Sequence, residues 1–150
     1  MFNRFLDVKA NKSFNIRVYG LLVEEYQVLI SHEVYDGRAM TKFPGGGLEW
    51  GEGFKETLQR EFMEELELDI QVGALFHLTE EFVASAFNPN DQLISIYYFV
   101  HRKDVSEIRA VNPRQRLEWM PIESMNPNQF TFPIDRLVAE KMKRPSSRAY

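Results

Sequence analysis

The segment Gly45-Gly-Gly-Leu-Glu-Trp-Gly-Glu-Gly-Phe-Lys-Glu-Thr-Leu-Gln-Arg-Glu-Phe-Met-Glu-Glu-Leu-Glu-Leu68 decides how the chain is read. Three glycines and the loop Gly51-Glu-Gly53 lead into strong helix formers, among which Phe54, Leu58, Phe62 and Leu66 recur at every fourth position. This predicts a glycine loop followed by an amphipathic helix from Glu52 to about Leu66. Glycines feeding a helix invite a phosphate-loop reading, but a Walker loop needs Lys-Ser or Lys-Thr after its second glycine, and Glu52-Gly53 follow Gly51 here. The dinucleotide fingerprint fails as well, because Trp50 stands where its third glycine belongs.

On a helical wheel with Glu61 at zero, Phe54, Leu58, Phe62 and Leu66 fall near about 20°, 60°, 100° and 140°. A merely solvated acidic face would lie opposite, where Glu56 and Glu67 fall. Glu61, Glu64 and Glu65 do not lie there: they sit near about 0°, 300° and 40°, with Glu65 inside the apolar stripe. Carboxylates at such spacings repel one another unless something neutralises them. A divalent cation does so, and an all-oxygen ligand set selects a hard ion, Mg²⁺ or Mn²⁺. Glu52, at the joint of loop and helix, can add a fourth carboxylate, and Arg60 can hold a carboxylate through a bidentate ion pair.

Outward from this helix the chain reads as strands. Asn15–Val23 and Gln27–His32 are β-rich runs joined by Glu24-Glu25-Tyr26, a hairpin pattern. Met40–Pro44 approaches the glycines in extended form. Ile70–Phe82 is β-leaning, Leu93–Val100 reads as a strand covered on both faces, and Ala84–Asp91 between them has the composition of a loop. A short strand at Leu117–Pro121 precedes a C-terminal helix opened by Pro133, with Ile134, Leu137, Val138 and Met142 on one face. Strands before, between and after two helices give an α/β fold, a sheet flanked by helices.

At 150 residues, 44 % hydrophobic and 27 % charged, the chain has room for one core and is not a disordered protein. It is expected to comprise an N-terminal extension over 1–14, one domain over 15–142 and a flexible basic tail over 143–150. With no apolar run of bilayer length and no secretion signal, a cytoplasmic protein without a membrane partner is expected. Zero cysteines remove disulfides and thiolate chemistry. A formal charge of −4 argues against gripping long nucleic acid. His32, His77 and His101 are scattered singly in or beside strands and carry no catalytic assignment.

Gly46, five residues, Glu52, seven residues, Arg60-Glu61-Phe62-Met63-Glu64-Glu65-Leu66-Glu67-Leu68 resembles the Nudix box, Gly-x5-Glu-x7-Arg-Glu-U-x-Glu-Glu-x-Gly-U, where U is bulky and apolar. Every fixed position matches except Glu67, which stands where the family has glycine. That glycine serves the helix exit rather than coordination. Phe43-Pro44-Gly45-Gly46 before the box and Glu118-Trp119-Met120-Pro121 after it are also similar, so the resemblance spans 15–142. It implies an α/β/α sandwich with a mixed sheet, and Mg-dependent hydrolysis of a pyrophosphate bond in a nucleoside diphosphate linked to a group X by attack of metal-activated water. In family terms Glu64 and Glu65 are primary ligands, Glu61 a ligand or base, Glu52 a supporting ligand and Arg60 an orienting group. Members often dimerise, so a homodimer is among the expectations.

The nature of X stays open, with a nucleoside triphosphate, a nucleotide sugar and ADP-ribose as the choices. Some members mark ADP-ribose or dinucleoside polyphosphates by a proline or tyrosine past the box, where this chain has Glu81-Phe82-Val83-Ala84-Ser85. Gly46, Gly47, Phe43 and Phe87 are the substrate-side candidates, Phe87 the best placed of the aromatics because it lies in a loop; Tyr97 and Tyr98 could also stack a base. Glu80, Glu81, Asp91 and Asp104 are candidates for a general base outside the box. The competing class is a non-catalytic nucleotide sensor on the same fold, against which the intact carboxylate set argues.

Overall fold

The computed structural model describes residues 11–144. Its elements are β1 (Ser13–Glu24), β2 (Gln27–Tyr35), β3 (Arg38–Lys42), β4 (Gly45–Gly47), α1 (Phe54–Leu66), β5 (Ile70–Leu78), β6 (Asp91–Arg102), β7 (Arg116–Pro121), a 3-10 turn (Pro127–Gln129) and α2 (Pro133–Lys143). The strands run in the order β3-β2-β1-β6-β5, with β4 paired to β1 and β7 to β2. β1 and β6 are parallel from Ser13↔Asp91 to Leu22↔Val100, whereas β1–β4, β2–β3, β2–β7 and β5–β6 are antiparallel. The sheet is therefore mixed.

Alternation along the strands divides the core. Val18 and Leu22 of β1, Leu29 of β2 and Ile96 and Val100 of β6 face one side, where they meet Leu58, Phe62 and Leu66 of α1. Tyr19, Leu21, Val28, Ile30 and Tyr97 face the other, where they meet Ile134, Val138 and Met142 of α2. A mixed sheet flanked by these two helices is the expected α/β/α sandwich. β1 starts at Ser13, so Ser13 and Phe14, placed by sequence in an extension, are strand. The rest of that extension, 1–10, and the tail from 145 onward lie outside the described residues, while Lys143 belongs to α2. No described helix is long and apolar enough to cross a membrane.

Local chemistry explains the departures from periodicity. α1 begins at Phe54, not Glu52, because Gly53 adopts extended backbone as its N-cap. Its stripe is completed by fully buried Thr57, leaving Phe54 39 % exposed. In α2 Ala139 and Asp135 are buried while Leu137 is exposed. β5 stops at Leu78, four residues before Phe82. Gly45 lies at φ +152°, and a Cβ there would come 2.1 Å from the Val18 carbonyl oxygen, so only glycine lets β4 cross β1 this closely.

The helix exit survives the missing glycine. Glu67 itself takes the left-handed conformation, φ 49° and ψ 37°, with its N–H donating to Met63 O and the Leu68 N–H donating to Phe62 O. A side chain there carries strain, so Glu67→Gly is expected to raise stability by about 1 kcal/mol, read as a higher urea midpoint with an unchanged slope.

Candidate active site

The acidic residues of α1 are organised by Arg60. Its guanidinium grips Glu52 in a bidentate pair through Nε and Nη2, the latter at 3.0 Å from Oε2. Nη1 donates to Glu61 Oε1 at 3.0 Å and to Glu64 Oε2 at 3.3 Å, and Nη2 also donates to the Gly47 carbonyl at 3.0 Å. Glu52 is further held by the Thr57 hydroxyl at 2.9 Å and the Glu49 N–H at 3.2 Å. The Arg60 hydrogen bond, with those from Thr57 and Glu49, holds the Glu52 carboxyl down to about 2, and the same contact raises Arg60. One arginine thus ties the glycine loop, Glu52 and two carboxylates of the helix into a web.

Glu65 stands outside that web. Half-buried, it lines a cleft beside the sheet, and burial pushes its carboxyl up to about 7, with Glu33 and Glu61 adding to the rise and Lys42 and Arg17 opposing it. Among the described residues, no three acid or imidazole side chains converge into a ready metal cage, because Arg60 draws Glu52, Glu61 and Glu64 towards itself. The donor set nevertheless fits a hard cation. It is all oxygen, Glu65 carries a charge disfavoured by burial, and the Glu61 carboxyl fills the space above Gly46, where a Cβ would fall 2.2 Å from it.

The cleft measures about 410 Å³ and is lined by Arg17 and Tyr19 of β1, Glu33 and Tyr35 of β2, Lys42 of β3, Ser95 and Tyr97 of β6, Phe87 and Asn88 of the loop before β6, and Phe132 and Asp135 at the start of α2. Lys42 is buried, 3.4 Å from Glu33. Arg17 Nε donates to the Tyr19 hydroxyl at 3.3 Å. The Tyr97 hydroxyl donates to Asp135 Oδ1 at 2.5 Å, and burial pushes the Asp135 carboxyl up to about 7. At the other end Phe87 meets Tyr35 and Phe132 edge-on, at 5.6 and 6.0 Å between centroids, with the Arg38 guanidinium over its ring. One end is charged and the other aromatic.

Of the residues read from sequence, Glu52, Arg60, Glu61 and Glu64 come together and Glu65 turns to the cleft. Gly46 lies beneath Glu61, Gly47 lends its carbonyl to Arg60, and Phe87 lines the cleft. Phe43 does not: it is fully buried, stacked on Phe130 at 4.7 Å, so the aromatic ahead of the box is core. Tyr98 packs on the α1 side of the sheet, away from the cleft. Asp91 borders the cleft but accepts from the Ser13 hydroxyl at 2.5 Å, Asp104 is tied to Ser106, and Glu80 and Glu81 are exposed outside the cleft lining. His32 bridges Thr41 and Glu118, a structural role. Arg17, Glu33, Lys42 and Asp135 went unread, although each is a charged residue inside a run that otherwise packs in the core.

The family profile described as NUDIX domain matches residues 13–141 of the chain. No curated protein matches it in sequence. Among solved structures, it is similar to the MutT protein from Methanosarcina mazei Go1 (TM-score 0.72, 20 % identity, 91 % of this chain and 97 % of that one). It is also similar to a NUDIX hydrolase from Nitrosomonas europaea (0.71, 18 %, 85 % and 86 %). A third likeness is to the MutT NUDIX hydrolase from Burkholderia pseudomallei (0.70, 20 %, 87 % and 98 %). At these identities the likeness to solved structures is one of fold.

Proposed function

The chain belongs to the NUDIX family of hydrolases, and from that premise we propose that it cleaves the pyrophosphate bond of a nucleoside diphosphate linked to another group, using Mg²⁺ or Mn²⁺. The observation that carries this reading is the cluster of box carboxylates around Arg60 on a helix whose Glu65 lines a cleft of about 410 Å³. Glu61, Glu64 and Glu65 would hold the metal, with Glu52 in support. A bound divalent cation supplies Lewis-acid stabilisation of the phosphoryl oxygens and lowers the pKa of an attacking water.

The protein's own groups supply orientation. Arg60 gathers Glu52, Glu61 and Glu64 on one edge of the helix, from which Glu61 and Glu64 would turn to a metal on loading while Glu52 stays paired. Arg17 and Lys42 place positive charge beside Glu65, where the substrate's phosphates arrive, and offset part of the repulsion that the helix would exert on an anion. The aromatic end takes the base.

The test is phosphate release from a panel of nucleoside triphosphates, a nucleotide sugar and ADP-ribose. Turnover with Mg²⁺ on at least one compound, abolished by EDTA and restored by excess Mg²⁺, is the expected result. Tight nucleotide binding with no turnover of any compound would overturn the proposal.

A further inference from the structure

Three cations stand close to the box carboxylates, and two of them are already paired. Arg60 spends its fork on Glu52, Glu61 and Glu64, and buried Lys42 pairs with Glu33. Arg17 is different. Its Nε donates to the Tyr19 hydroxyl and its guanidinium lies 5.9 Å from the centre of that ring, yet among the described residues neither Nη1 nor Nη2 donates to an acceptor. Gly47, its partner across β1 and β4, leaves Nη1 uncovered, since a Cβ there would fall 3.6 Å away. By alternation Asn15, Arg17 and Tyr19 share the face of β1 that floors the cleft, and by register Arg17 stands beside Ser95 of β6. A partly buried guanidinium with an idle edge costs free energy until an acceptor arrives. That edge, Nη1 with Nη2, offers two parallel N–H bonds, which match two oxygens of one phosphoryl group.

The place of Arg17 selects which phosphoryl. It lines the cleft and also lies within the fields of Glu61 and Glu65, so it stands where the cleft adjoins the box carboxylates. A substrate whose base lies at the aromatic end and whose diphosphate reaches those carboxylates passes its nucleoside-bound phosphate over this part of the floor. We propose that the Arg17 fork binds the 5′-phosphoryl group attached directly to the nucleoside, a contact that outlasts cleavage and retains the nucleoside monophosphate product without help from a metal. This rests on the nucleotide-hydrolase reading above. A lysine in its place would supply the charge but not the paired N–H bonds.

Calorimetric titration of the full chain in EDTA, comparing adenosine, guanosine, cytidine and uridine with their 5′- and 3′-monophosphates, tests the assignment. For the base that binds best, the 5′-monophosphate is expected to bind tighter than the 3′-isomer and the free nucleoside by about tenfold or more. The isomers carry the same atoms and charge, so general attraction by a cationic cleft does not separate them. Arg17→Met is expected to bring the isomers within about twofold with nucleoside binding unchanged, and Arg17→Lys to recover no more than about threefold of the ratio. Equal binding of the isomers by the unaltered protein would overturn the proposal. So would a 5′ preference that survives Arg17→Met, an equal loss for the nucleoside, full recovery in Arg17→Lys, or no binding of any 5′-monophosphate at millimolar concentration. If Arg17→Met fails to fold, guanidinium NMR of the unaltered protein decides. The Arg17 Nη signals, identified by their loss in Arg17→Lys, are expected to shift with the 5′-monophosphate and not with the nucleoside, and unmoved signals overturn the proposal equally. Failure of the hydrolase reading shows separately, as absence of Mg²⁺-dependent phosphate release from every nucleotide with the isomer ratio intact.

Discussion

Glu65→Gln is expected to lower kcat/KM about a thousandfold or more, yet to leave the protein melting at or above the unaltered chain's temperature at pH 8. The loss follows from removing one oxygen anion from a carboxylate proposed to hold the metal: Lewis-acid stabilisation amounts to several kcal/mol, and about 4 kcal/mol corresponds to about three orders of magnitude. The stability follows from where Glu65 sits. Burial raises its carboxyl from the ordinary 4.5 to about 7. A group raised in this way contributes fully to stability below about 4.5 and loses that contribution as pH rises through about 7, because the folded protein must then bury a charge. Glutamine cannot ionise, so the variant keeps at pH 8 what glutamate has given up, and its advantage shrinks at pH 5. Glu64→Gln shares the loss of activity without the gain in stability, since Glu64 is 58 % exposed and paired to Arg60. Melting curves at pH 5 and 8 beside Mg²⁺-dependent turnover check both. Retained turnover in Glu65→Gln would remove it from the metal site.

That two box glutamates differ so much in environment was partly legible before any coordinates. The wheel placed Glu65 within the apolar stripe, and the structure half-buries it against the cleft, while Glu64 falls off the stripe and is exposed. The helix, its apolar face and the sheet on either side were legible because each follows from a period in one continuous segment. The cleft was not, because it gathers single residues from β1, β2, β3, β6 and α2, and only their pairing in space shows that they meet. Signals existed all the same. Arg17 shares the face of Tyr19 and Leu21 by simple alternation, which marks a charge on an inward side. Asp135 lies in the first turn of a helix, where any acid is favoured, so nothing in the sequence marks it as buried. Phe43 misled in the opposite sense: adjacency to the glycine loop suggested a ligand platform, but its neighbours Lys42 and Met40 are buried too, and the ring completes the core under α2.

Gly46→Ala is expected to cost about a hundredfold in kcat with little loss of stability, a separation that a merely structural glycine would not give. No left-handed backbone is demanded at this position, so alanine fits the local conformation. Its Cβ, however, would lie 2.2 Å from both Cδ and Oε1 of Glu61. Backbone cannot yield there, since β4 is paired residue by residue with β1 through Val18↔Gly46. The carboxyl end of Glu61 can, and a rotamer change releases the overlap at the expense of the Arg60 contact. A displacement of about 1 Å in a catalytic constellation is enough to reduce rate about a hundredfold, whereas the fold loses one ion pair in a partly exposed web. Gly53→Ala is the comparison: its Cβ meets nothing nearer than 3.6 Å, so its activity should stay within a few-fold of the unaltered chain. If Gly46→Ala keeps full turnover, Glu61 is not held where the proposed chemistry needs it. If it unfolds, the strand rather than the glutamate gives way, and the close approach of β4 to α1 serves packing alone.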